Sequence, residues 1–178
     1  MDATSLNLTG LDMNMRQHPL RYWIAVSLAL TACATPTPQS FDVLNSGPQT
    51  SLRANSSQAA VITDQSEFTE LFDRVAANKR PPDVPKIDFS KDIVIYVSRD
   101  PKPSAGYGLK VRSVTCAGSV MSVVLKEIDP QGIAGQAQVI TQPYVVLATA
   151  RCPKLAQVEI SGADLASPRP IPVAPAKK

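Results

Sequence analysis

From residue 59 to residue 160 the apolar positions recur first with a helical period and then with a strand period. Ala59 to Thr63 reads as a short entry strand. Asp64, with Glu67 three residues on, has the form of a capping box, in which side-chain oxygens satisfy the amides left free at a helix start. Phe68, Leu71, Phe72 and Val75 follow at i, i+3, i+4 and i+7, so a helix places them on one core-facing stripe, while Glu70 and Arg74 pair one turn apart on another. Lys79 to Pro85 is a proline-broken loop. Ile93-Val94-Ile95-Tyr96-Val97 is then apolar without alternation, as a central strand covered on both faces requires. Leu109 and Val111 alternate with Lys110 and Arg112, and the apolar phase shifts by one through Val114 and Cys116, which predicts a bulge near Ser113. Ala117-Gly118-Ser119 is a tight turn, Val120 to Ile128 its returning partner, and Tyr144 to Ala150 a further strand. Val158 and Ile160, alternating with Gln157 and Glu159, make the last one. The pattern predicts an α+β fold, with one N-terminal helix packed on a mainly antiparallel sheet or small β-sandwich of about five to six strands.

The flanks carry no such period. Arg16, His18 and Arg21 precede the apolar stretch Tyr22 to Leu30, which is too short to span a bilayer but has the length of a signal-peptide core. Residues 1–32 therefore read as a signal peptide, for which Met13 or Met15 is a more typical start than Met1. Leu30-Thr31-Ala32-Cys33 closes the segment, with small residues for a peptidase pocket and a thiol for acylation at Cys33, and it resembles the bacterial lipobox. The alternative is an ordinary secretory signal cleaved near Ala34. Acyl chains on Cys33 would anchor the chain to a membrane surface. Ala34, in place of aspartate, is similar to the pattern that in Gram-negative hosts directs lipoproteins to the outer membrane, facing the periplasm. Prolines cluster at 36–48 and 168–175, and such segments bury too little apolar surface to offset their ordering entropy. The sequence thus predicts a flexible tether at 33–58, a globular domain at 59–162 and a disordered tail at 163–178.

The formal charge of +3 is spread along the chain without a basic stripe or aromatic platforms, so nucleic acid is not the expected partner. The single histidine, His18, lies in the segment to be removed, which excludes Ser-His-Asp and Cys-His nucleophiles and ordinary zinc sites from the mature chain. Cys116 and Cys152 are too few for a thiolate cluster, and no metal or other cofactor is expected. In an oxidising compartment they are expected to form a disulfide, closing a loop of about 37 residues and stabilising the fold by roughly 3–4 kcal/mol. Two separate buried thiols are the alternative, because sequence does not fix the Cα separation. Glu127 with Asp129, and Asp88 with Asp92, are the close carboxylate pairs, but each has a simpler role in a turn, so no enzymatic activity is expected.

Two loops remain, Pro103-Ser104-Ala105-Gly106-Tyr107 and Thr141-Gln142-Pro143-Tyr144, each feeding a strand. Read structurally, Gly106 permits a tight turn, Pro143 fixes φ and the tyrosines bury their rings. Read functionally, Gly106, Tyr107, Gln142, Pro143 and Tyr144 form a paired recognition surface for a protein partner. Together with Val61-Ile62-Thr63 leading into Glu67-Phe68, and with Ile87-Asp88-Phe89-Ser90-Lys91, these loops resemble the C-terminal domain of the PrcB family over about residues 60–161. Members are typically exported lipoproteins, and the family is named for a subunit of a protease complex. The resemblance implies a lipid-anchored, non-catalytic envelope protein that binds or stabilises a partner, with a protease among the candidates. The same loops are similar to two of the three used by chagasin-type inhibitors of cysteine proteases, with Gln142 replacing arginine and Tyr144 replacing tryptophan. Gln131-Gly132-Ile133-Ala134-Gly135 stands where the glycine-rich middle loop would be. That likeness implies, as the alternative, an inhibitor acting through Gly106-Tyr107 and Pro143-Tyr144.

Overall fold

The computed structural model of the chain describes residues 35–52, 54–76, 83–132, 137–165 and 168–173. Residues 1–32, expected to be a signal peptide, Cys33 and residues 133–135 lie outside the described residues. Nine strands and one helix form among those described: β1 (Thr37–Pro38), β2 (Phe41–Gly47), β3 (Gln58–Ile62), α1 (Gln65–Ala76), β4 (Asp92–Ser98), β5 (Gly108–Ala117), β6 (Val120–Ile128), β7 (Tyr144–Ala150), β8 (Gln157–Ser161) and β9 (Arg169–Pro172). They make two sheets, one ordered β1-β5-β6-β8-β9 and the other β2-β7-β4-β3.

The unbroken apolar run in β4 has the cause expected of it. Ile93, Ile95 and Val97 enter the core between the sheets, whereas Val94 and Tyr96 face α1. Phe68, Phe72 and Val75 of the helix are buried against that second face, with Tyr144 and Val146 of β7. Asp64 caps α1, its Oδ1 accepting from Glu67 N at 2.9 Å, and Arg74 reaches Glu70 at 3.7 Å on the exposed side. The apolar phase shift in β5 is also structural, since its register against β6 slips between Val111 and Ser113.

Four expectations are corrected. The helix sits mid-chain rather than at the N-terminus, because β1 to β3 precede it. Among the described residues there are nine strands in two sheets rather than about five or six; their pairing is mainly antiparallel, as expected, with β8 parallel to β6 and β7 of the opposite sheet serving as the crossover that parallel neighbours need. Residues 37–47, assigned to a flexible tether, are β1 and β2, held by pairing with β5 and β7. Residues 169–172, assigned to a disordered tail, are β9 on the edge of the first sheet. That edge is blunted by its own sequence. Val173 N donates to Ala156 O, so by alternation Pro170 and Pro172 turn their donor-free nitrogens outward.

Cys116 in β5 and Cys152 just past β7 are bonded, with Cα atoms 5.9 Å apart, and this disulfide joins the two sheets at one end of the sandwich. No helix among the described residues is long and apolar enough to cross a membrane.

Candidate functional site

β4 ends, β5 begins, β6 ends, β7 begins and β8 ends on the same side of the sandwich, so the described residues 99–107, 129–132, 137–143 and 162–165 gather at one end, opposite the disulfide. Arg99 lies at their centre. It continues the odd-numbered face of β4 and is 2% exposed. Its Nε donates to Asp164 Oδ2 at 3.0 Å and its Nη2 to Asp164 Oδ1 at 3.1 Å, a two-pronged pair. Nη2 also reaches Glu127 Oε2 at 3.1 Å, and Nη1 reaches Asp129 Oδ1 at 2.9 Å and the carbonyls of Ile128 at 3.1 Å and Gly108 at 3.3 Å. Every nitrogen of the guanidinium is therefore satisfied, as a buried charge requires. Glu127 and Asp129, one of the carboxylate pairs noted in the sequence, thus share a cation.

Lys102 Nζ donates to Asp164 Oδ1 at 2.8 Å, and the Tyr107 ring lies 5.7 Å from both Arg99 Cζ and Lys102 Nζ, covering the cluster as a cation-π lid. Burial, the largest single influence on Arg99, works against its charge. Its bonds to Asp164 and Asp129 outweigh that and raise its pKa. Burial likewise pushes Asp164 up, but the bonds from Arg99 and Lys102 prevail and hold it at about 2. Because the folded value lies below the unfolded 3.8, this stabilisation is complete above about pH 4 and is lost as pH falls from there toward 2. Urea midpoints over that window are expected to fall by an amount equivalent to about 2 kcal/mol, and Asp164→Asn should flatten the slope.

Asp164 reaches this position through an unusual turn. Gly162, Ala163 and Asp164 all have positive φ, at 89°, 59° and 62°. A Cβ on Gly162 would stand 2.8 Å from the Leu125 carbonyl oxygen, so both space and backbone conformation demand glycine. Gly162→Ala is expected to cost about 1–3 kcal/mol in chemical denaturation, with the pH dependence assigned to Asp164 weakened as the turn shifts.

The two loops singled out in the sequence do meet, but largely inside the molecule. Gln142 is 2% exposed and bridges three segments, with Oε1 accepting from Ala54 N at 3.1 Å and Nε2 donating to the carbonyls of Arg99 at 3.1 Å and Ser56 at 3.4 Å. Pro143 is buried, and Tyr144, buried beside Tyr96, donates its hydroxyl to Asn45 Oδ1 at 3.1 Å. Burial raises the pKa of Tyr144. Gln142, Pro143 and Tyr144 consequently do not form a recognition surface, nor can they wedge into a protease cleft. Only Gly106, exposed with φ 93°, and half-buried Tyr107 remain at the surface.

What the surface does present is Val139 and Ile140, 52% and 67% exposed. Their segment is pinned to the Gly106-Tyr107 loop: Lys102 and Thr141 exchange main-chain bonds at 2.7 and 2.9 Å, Ala105 N donates to Ala137 O at 2.9 Å, and Thr141 Oγ1 donates to Ser104 O at 2.9 Å. The result is an apolar tip on a fixed base. The sequence reading missed both parts. An arginine on the buried parity of an apolar strand, and two adjacent β-branched aliphatic residues between Gln138 and Thr141, were the available signals.

Residues 93–150 match the model of the PrcB C-terminal family, and over this stretch the chain resembles that family. The match runs from β4 to β7 and takes in both pinned loops, Arg99, Glu127 and Asp129, but not Asp164. No curated protein and no solved structure matches the chain.

Proposed function

We propose that this chain, similar over residues 93–150 to the PrcB C-terminal family, is a lipid-anchored, non-catalytic protein of the bacterial envelope that binds or stabilises a protein partner, a protease complex first among the candidates. In a Gram-negative host it would sit on the outer membrane, facing the periplasm. Anchoring rests on Leu30-Thr31-Ala32-Cys33. The single observation that carries partner binding is the exposed Val139-Ile140 tip on loops held by main-chain hydrogen bonds. Adjacent aliphatic side chains in water are a natural anchor for a complementary pocket. A tip already ordered in the free protein gives up little further entropy on binding.

The test is retention of the partner by the intact lipoprotein after gentle solubilisation of cells. Val139→Asp with Ile140→Asp should reduce that retention by about tenfold or more while leaving the thermal midpoint nearly unchanged, since neither side chain is in the core. Undiminished retention would remove this tip as the binding surface.

A further inference from the structure

β1 runs antiparallel to β5, with Thr37 opposite Cys116 and Gln39 N bonded to Val114 O. Traced backward from Gln39, the chain therefore heads toward the β5–β6 turn. Thr35 lies there, lining one cleft with Gly118, Ser119, Pro153 and Lys154. Cys33 is two residues earlier, and two residues of extended chain reach at most about 7 Å. The headgroup layer of a bilayer leaflet is itself about 5–7 Å deep. A chain acylated at Cys33 has no slack in which to tumble.

We propose that the sandwich stands end-on against the bilayer, with the Gly118-Ser119 and Pro153-Lys154 turns in contact with the lipid headgroups and the Val139-Ile140 tip at the far end. This rests on the anchoring of Cys33 proposed above. β5 spans the distance between the two ends, and its nine residue steps from Gly108 to Ala117 separate them by about 30 Å. The Cys116–Cys152 bond fastens both sheets together at the membrane-facing end, where the pull of the anchor enters the fold. Charge does not set this orientation. Around this end Lys91, Arg151 and Lys154 are matched by Asp42, Asp88 and Asp92, so contact should survive high salt. The sandwich thus acts as a rigid spacer that presents the partner-binding tip to the compartment rather than to the membrane.

Tryptophan reporters test this directly, because the one natural tryptophan, Trp23, precedes Cys33 and leaves with the signal segment. The full lipoprotein carrying S119W, P153W or I140W is reconstituted into phosphatidylethanolamine–phosphatidylglycerol vesicles containing a headgroup-nitroxide lipid. Ser119 and Pro153 are exposed turn residues, so the two reporters back each other if one disturbs the turn. S119W and P153W should lose most of their emission and I140W almost none, unchanged in high salt. Equal quenching of all three, or none at position 119 and 153 on vesicle-bound protein, overturns the orientation while leaving anchoring intact. Protein that lacks the acyl mass on Cys33 and stays in solution overturns the anchoring itself, and the orientation with it.

Discussion

Replacing Arg99 with alanine is expected to lower the unfolding free energy by about 3–5 kcal/mol, which is a large share of the stability of a domain of this size. The reason is the company Arg99 keeps. With the guanidinium gone, Asp164 and Glu127, whose side chains are 17% and 30% exposed, keep the amides of Asp100 and Asp164 but only Lys102, on Asp164, as a cation, and the Gly108 and Ile128 carbonyls lose the guanidinium. Arg99→Lys should recover only part of the loss, since an ammonium cannot make the two-pronged bond to Asp164 while reaching Asp129 and Glu127. Asp129→Asn is the control: that carboxylate is 60% exposed, and its removal should cost no more than about 1 kcal/mol. Urea denaturation of the three variants decides the matter. An Arg99→Ala protein within about 1 kcal/mol of the wild type would mean that the cluster is decoration and the loops are held by their main-chain bonds alone.

Loss of the Cys116–Cys152 bond is expected to cost about 3–4 kcal/mol, from the entropy regained by an unfolded chain no longer closed over a separation of 36 residues. The C116A/C152A double variant, compared with the wild type with and without a thiol reductant, should show this as a fall in the urea midpoint to one common value for the variant and the reduced wild type. The two large effects act at opposite ends of the sandwich, the disulfide beside β1 and Arg99 among the loops, and share no contacts. Combined, they should add to within about 0.5 kcal/mol.

Local physics was legible in the sequence, and long-range pairing was not. β4 could be read because burial on both faces leaves no polar position in Ile93 to Val97, and the β5 bulge because a one-residue slip reverses which face is apolar. The Asp64 cap and the Phe68 to Val75 stripe follow from contacts within four or so residues. β2 could not be read this way. Phe41 packs against the core between the sheets and Leu44 against the helix-side core, and what orders the strand is a ladder to β7 about a hundred residues away. β9 hid for a different reason, since Pro170 and Pro172 argue against a strand anywhere but at an edge. Of the two readings the loop motifs allowed, burial of Gln142 and Tyr144 agrees with the structural one. Gln142, Pro143 and Tyr144 have the composition of a binding surface, yet Gln142 serves as a main-chain surrogate for Ala54, Ser56 and Arg99. The role of Arg99 was not legible because its carboxylate partners stand 28, 30 and 65 positions away.

The proposed orientation, with the Cys116 end against the membrane and Val139 and Ile140 free, makes one comparison decisive. A photo-crosslinking side chain is placed in living cells at position 140, on the tip, or at position 43, whose valine is 49% exposed on β2 and serves as an exposed apolar control away from the tip. Position 140 should yield a discrete adduct with an envelope protein that position 43 does not give, and the adduct should fade when Val139 is changed to aspartate. The same weak, diffuse labelling from both positions would contradict the account of the loop end as the surface that meets a partner.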